Sequence, residues 1–141
     1  MKHIISVTAL CIALTSPALA DGLQSRPAHT GETVVPNFSH VIPNIPGKSL
    51  IAVDVVYAPG AKSPPRRHAK SAFVYGYVVS GSIRSQVEGE PARVYKAGES
   101  FFEAPGAHHL AGENASNSEP AKLLAVFVVD SDDKELTTPD K

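Results

Sequence analysis

With 141 residues, 43% of them apolar and 19% charged, the chain is sized for one domain with a packed core and is too apolar to be disordered as a whole. A formal net charge of −1 gives no basic face of the kind that nucleic acid requires. Twelve prolines and ten glycines imply many turns, and therefore short strands rather than long helices.

The chain opens with MKHIISVTALCIALTSPALA. A basic start at Lys2, an apolar stretch from Ile4 to Leu14 and small residues at Ala18 and Ala20 predict a secretory signal peptide over residues 1–20, cleaved after Ala20. The expected location is secreted or periplasmic, with no stable membrane anchor, because a spanning helix needs roughly 20 apolar residues. Leu10, which precedes Cys11, is not the small residue of a lipoprotein signal, and Lys2-His3 is not a twin arginine. The single cysteine, Cys11, leaves with the leader. The mature chain then has neither a disulfide nor thiolate chemistry.

Residues 21–48 read as a polar N-terminal arm with brief extended pieces such as ETVVP. Strand signals start at SLIAVDVVYAPG, where Ile51, Val53, Val55 and Tyr57 share one face of a period-two pattern that Pro59-Gly60 ends. AFVYGYVVSG is β-branched and aromatic and stops at Gly81. SIRSQVEG alternates, and the turn at Gly89 predicts a hairpin. ARVYKAGESFFEAPG predicts two short strands around Gly98, and AKLLAVFVVD predicts a strand buried on both faces. Residues 131–141, SDDKELTTPDK, read as a flexible charged tail. Short strands between Gly/Pro turns, with no helix pattern, predict a single all-β domain over residues 49–130, a sandwich or a small barrel. Pattern alone does not choose among jelly roll, immunoglobulin-like sandwich and up-and-down barrel.

Two stretches narrow the choice. Gly60, Pro64-Pro65, His68 and Gly81 resemble the first cupin motif, G-x5-H-x-H-x(3,4)-E-x6-G. GESFFEAPGAHHLAGEN, residues 98–114, resembles the second, G-x5-P-x-G-x2-H-x3-N. Gly98, Gly106 and His109 take the second motif's positions, Ala104 stands where it has proline, and Asn114 lies one residue beyond its asparagine, where Glu113 stands. The resemblance spans about residues 50–129 and implies a double-sheet jelly-roll β-barrel. It also implies a divalent metal in the barrel mouth (iron, manganese, zinc or nickel), held by two histidines and a glutamate from the first motif and a histidine from the second. Arg66 occupies the first histidine position and Val74 the glutamate position. Neither residue ligates a metal.

His68 and His109 are therefore the expected metal ligands. His108 and His109 are adjacent on a strand and point to opposite faces; His108 is assigned outward, toward solvent or an oligomer contact. Glu103 shares a face with Phe101. If that face is inward, Glu103 is a third ligand or a catalytic base; otherwise it is an exposed strand end. Arg66 is read as a clamp for an anionic substrate, since a planar guanidinium binds carboxylate bidentately, or with Arg67 as a solvated basic spot. Tyr75, Tyr77 and Gln86 are candidate cavity-lining residues for substrate, with core packing as the alternative for the aromatics.

Three functions follow as expectations. The first is a metal-dependent small-molecule enzyme of dioxygenase or isomerase type. The second is a metal-free module that binds an acid or a sugar. The third is an interaction role through a barrel homodimer, which would cover strand edges.

Overall fold

The computed structural model describes residues 31–141, and the expected leader at 1–20, with Cys11, lies outside the described residues. Eleven strands are present among the described residues: β1 (Glu32–Val41), β2 (Lys48–Tyr57), β3 (Lys62–Ser63), β4 (Arg66–His68), β5 (Phe73–Ser80), β6 (Ser82–Val87), β7 (Arg93–Lys96), β8 (Ser100–Glu103), β9 (His108–Asn114), β10 (Ala121–Asp130) and β11 (Thr137–Pro139). They form two antiparallel sheets, ordered β1-β2-β10-β5-β8 and β11-β4-β9-β6-β7, with β3 also paired to β9. The two sheets face each other as an all-β jelly roll.

Period-two alternation sets the core. β2 turns Val53, Val55 and Tyr57 inward, β5 turns Val74 and Val78 inward, and β10 contributes Leu123, Ala125, Phe127 and Val129. β10 was expected to be buried on both faces. It lies centrally between β2 and β5, yet its outward residues Leu124, Val126 and Val128 are only half-buried, because among the described residues no layer covers that face.

Gly81 joins the two sheets by a tight turn from β5 to β6. Its φ is +71°, and a Cβ there would sit 2.6 Å from the Pro120 carbonyl oxygen, so glycine is required twice over. The two short strands around Gly98 do form, but they part company: β7 joins the second sheet and β8 the first.

The segments expected to lie outside the barrel carry strands. The arm at 21–48 contains β1, which pairs with β2 from Glu32↔Tyr57 to Val41↔Ser49 with a bulge between Pro36 and Phe38. Proline is tolerated because β1 is a sheet edge. The tail at 131–141 contains β11, paired with β4 through Thr137↔His68, Thr138↔Arg67 and Pro139↔Arg66. That stretch is a sheet edge rather than a free end.

Gly76 of β5 lies opposite Phe101 of β8. A Cβ on Gly76 would sit 2.6 Å from Phe101 Cζ, so the ring lies flat over the glycine. Tyr95 packs against the same ring, tilted, at 4.7 Å between centroids. Gly76→Ala is therefore expected to overpack this corner and cost roughly 1–3 kcal/mol. The denaturation midpoint checks this, and an unchanged midpoint would mean that the Phe101 ring can swing clear.

Candidate metal centre

β4 is short, and its inward residues at the i and i+2 positions are Arg66 and His68. β9 runs beside it, with Arg66 opposite His109 and Arg67 opposite His108. Pleating thus sends His109 into the barrel and His108 out, as expected. β8 approaches from the other sheet and turns Phe101 and Glu103 inward. His68, Glu103 and His109 are 5%, 4% and 3% exposed. One donor atom on each lies within 4.8 Å of the others.

Glu103 stands directly opposite Val74 in the β5–β8 ladder. Val74 is the position at which the first motif has its glutamate. The carboxylate lost from β5 therefore reappears at the cross-strand neighbour of the same position.

His109 Nδ1–H donates to Glu103 Oε1 at 2.9 Å, with the tautomer assigned from the acceptor. His68 Nε2 lies 2.8 Å from Glu103 Oε2. That pair is close but lacks the alignment of a hydrogen bond, so His68 Nε2 and Glu103 Oε2 remain without a hydrogen-bond partner, as do His68 Nδ1 and His109 Nε2. We take the contact as electrostatic, since the distance is met and the direction is not. The Phe127 ring packs against His68 at 5.7 Å and keeps that wall apolar.

Burial raises the Glu103 pKa, but the hydrogen bond from His109, the close approach of His68 and the electrostatics of both rings outweigh it, and the carboxyl falls to about 2. Burial lowers the His109 pKa, opposed by its hydrogen bond to Glu103. The carboxylate is held ionised, and the His109 imidazole is biased toward its neutral form.

The triad opens into a cavity of about 840 Å³. Its walls include Val53, Val55, Leu123 and Phe127 from the first sheet, Arg66 and Gly112 from the second, and Lys134 to Thr137 from the tail. Arg66 lies in this wall and is half-buried. Tyr75 and Tyr77 do not line the cavity. They are 40% and 37% exposed on the outer face of β5, because burial of Val74 and Val78 fixes the alternate residues outward. Gln86 also misses the cavity: it lies on the outer face of β6 and its amide donates to the Glu90 carbonyl.

His108 faces outward but is covered rather than solvated. Its Nε2 lies 2.8 Å from Asp140 Oδ2, and Glu88 and Arg67 flank its Nδ1. Sequence reasoning missed the use of Asn114. It is buried and ties two loops together, donating to the carbonyls of Ala58 and Glu119 and accepting from the Ser116 N–H. Glu113 faces outward between Arg84 and Lys62. The one-residue offset of the asparagine thus has a structural use. Tyr57, read only as one of an apolar strand face, also lines the cavity, as does Gly112 of β9.

The sign of the pH dependence follows from the two shifts. A carboxyl held at about 2 rather than 4.5 stabilises the fold above pH 4.5, and that contribution is lost as pH falls toward 2. His109, held below 6.5, adds a loss that begins as pH drops under 6.5. Glu103→Gln is expected to be less stable than the parent by on the order of 3 kcal/mol at pH 7. The gap should narrow as pH falls below 4.5. Urea midpoints of chelator-treated protein between pH 7 and pH 3 test this; a constant gap would mean that the carboxyl is not held ionised.

A family model for the cupin domain matches residues 53–127. No curated protein matches the chain. Among solved structures, KdgF from Halomonas sp. is similar at 21% identity, over 78% of this chain and 89% of that one, with a TM-score of 0.58. An RmlC-like cupin from Shewanella frigidimarina NCIMB 400 is similar at 22% identity, over 82% and 91%, with a TM-score of 0.56. An oxalate oxidase in complex with the substrate analogue glycolate is similar at 26% identity and a TM-score of 0.54, with 82% of this chain covering 59% of that one.

Proposed function

The chain belongs to the cupin domain family, and from that premise we propose that it is an exported protein that binds a divalent metal ion through His68, Glu103 and His109 and acts on a small anionic molecule in the barrel. The observation that carries this reading is a buried set of two imidazoles and one carboxylate with four donor atoms lacking a hydrogen-bond partner. Buried polar atoms without partners cost stability unless something fills the gap. Two histidines and a carboxylate are a donor set suited to iron, manganese, zinc or nickel, with positions left open for a ligand. A metal there would polarise a ligand oxygen and, if redox-active, handle electrons or oxygen.

The rest of the chemistry belongs to the chain. Glu103 supplies a full negative charge at neutral pH, set against a divalent cation. His109 is held by its Nδ1–H, which leaves Nε2 with a lone pair and fixes the ring. Arg66 offers a planar cation in the same wall to orient an anionic group. Val53, Val55, Leu123 and Phe127 exclude water from one side of the space. The leader pattern at residues 1–20 supports export, so the metal would be acquired outside the cytoplasm.

A second reading has its own support. Both Glu103 oxygens are already met by the histidines, which would suit a metal-free module that binds an acid or a sugar. Elemental analysis of protein purified without chelator or histidine tag separates the two. Near-stoichiometric metal in the parent, lost in His68→Ala/His109→Ala, is the expected result. Equal content in both would overturn the metal reading in favour of the second.

A sharper test uses the ladder. Val74 and Glu103 face each other within the cavity wall, so the carboxylate is expected to work from either strand. Glu103→Val should lower metal affinity by at least about tenfold, as loss of one ligand or its support does. The double swap Val74→Glu/Glu103→Val should restore most of it. If the swap stays as weak as Glu103→Val, the two positions are not equivalent.

A further inference from the structure

Tyr57 is a buried titratable group that the metal reading leaves unused. It ends β2 with its ring 1% exposed, and its hydroxyl lies 2.8 Å from Ser63 Oγ. Ser63 is buried on β3, opposite Gly112 of β9. A Cβ on Gly112 would sit 2.7 Å from His109 Nε2 and 3.3 Å from the Tyr57 hydroxyl. Both polar atoms therefore approach the Gly112 backbone more closely than a side chain there would allow, and they lie side by side at the cavity. His109 Nε2 has no hydrogen-bond partner there.

Arg66 closes the group. Each of the other arginines described is engaged: Arg67 with Glu88, Arg84 with Glu113, and Arg93 over the Tyr95 ring. Arg66 lines the cavity and forms no ion pair among the described residues. A guanidinium in a cavity wall with no carboxylate of its own is suited to one supplied by a ligand.

We propose that Arg66 and the Tyr57 hydroxyl, backed by Ser63, form a carboxylate-binding subsite beside the metal triad, and that its ligand is a short 2-hydroxy or 2-oxo monocarboxylic acid whose second oxygen points across the cavity toward the triad. This deepens the function proposed above and rests on that reading for the triad's role, while the subsite stands on its own residues.

The hydroxyl network permits it. Ser63 can donate to the Tyr57 oxygen, which leaves the phenol proton free for a ligand oxygen. Burial raises the Tyr57 pKa, with Arg66 pulling it down and Glu32 pushing it up. The phenol therefore stays protonated and serves as a donor. Charge in the wall limits the ligand to one carboxylate. Glu32 and Glu135 also line the cavity, and Asp140 is taken by His108. A phosphorylated or doubly acidic ligand would meet these carboxylates, and Glu103, with only Arg66 and Lys134 in the wall to offset them.

The test uses glycolate, the smallest 2-hydroxy acid, with ethylene glycol as its uncharged counterpart. Calorimetric titration of the purified full chain is compared for the parent, Tyr57→Phe and Arg66→Gln. Manganese(II) binding is read separately by electron paramagnetic resonance. Tyr57→Phe removes one oxygen and keeps the ring, and thermal midpoints confirm that each variant folds. Glycolate is expected to bind the parent better than ethylene glycol. Loss of a hydrogen bond to a charged ligand should weaken it about tenfold in Tyr57→Phe and more in Arg66→Gln. Manganese binding should stay within about twofold in Tyr57→Phe, since no triad atom is changed.

Glycolate that binds both variants as it binds the parent, or no better than ethylene glycol, overturns the subsite even where manganese binds normally. Manganese that fails to bind, with zinc failing likewise in the calorimetric titration, while the glycolate pattern holds, removes the metal reading and leaves the subsite standing. Failure of both ligands with the parent overturns both.

Discussion

An ionised carboxylate buried in an apolar barrel is tolerated only where hydrogen-bond donors or positive charge face it. Glu103 meets that condition from both sides, with His109 at 2.9 Å and His68 at 2.8 Å. The arrangement also crosses the molecule. Glu103 belongs to the first sheet through β8, whereas His68 and His109 belong to the second through β4 and β9. The triad is therefore a polar clasp between the inner faces of the two sheets, set in the wall of the cavity. Register matters here more than elsewhere, because a one-residue slip of β8 would exchange Glu103 for an outward residue and leave two imidazoles facing Val74 alone.

The tail belongs to the same construction. β4 has three residues and carries both Arg66 and His68. A strand that short is poorly held by one neighbour. β9 supports it on one side and β11 on the other, and the tail is pinned by Ser71–Asp133 before β11 and by His108–Asp140 after it. The outward histidine of the His108-His109 pair thus fixes the segment that walls the cavity, while the inward one faces the carboxylate. Adjacent positions on one pleated strand serve the two sides of one site.

Much of this was legible from alternation. Period two placed Val53, Val55 and Tyr57 inward, separated His108 from His109, and coupled Glu103 to the side of Phe101. Resemblance to two cupin motifs supplied the fold and the positions of His68 and His109. What was not legible depended on pairing between distant segments. Nothing local says that Val74 will face Glu103, since that register is set by β5 and β8 meeting across 19 intervening residues of turns and other strands. Nor does a charged, proline-containing end announce a partner strand: β11 exists because β4 leaves an edge to cover. Tyr75 and Tyr77 misled for a related reason. Aromatics in a strand attract a cavity assignment, but Val74 and Val78 had already claimed the inner face.

The protonation states bear on how such a site would take up a metal. Ligands must be deprotonated to coordinate, so metal binding ordinarily competes with protons. Here burial has already lowered the His109 pKa, and the imidazole contacts, prevailing over burial, have brought the Glu103 carboxyl to about 2. Both donors therefore lean toward their coordinating forms at neutral pH before any ion arrives. What an ion must displace is a contact, the hydrogen bond between His109 Nδ1–H and Glu103 Oε1 or the approach of His68 to Oε2, rather than a proton on the carboxylate. Retaining the His109 bond while coordinating through its partnerless Nε2 would avoid even that exchange, with Glu103 orienting the ring. The orientation of one imidazole thus decides whether the carboxylate serves as a ligand or as the support of one.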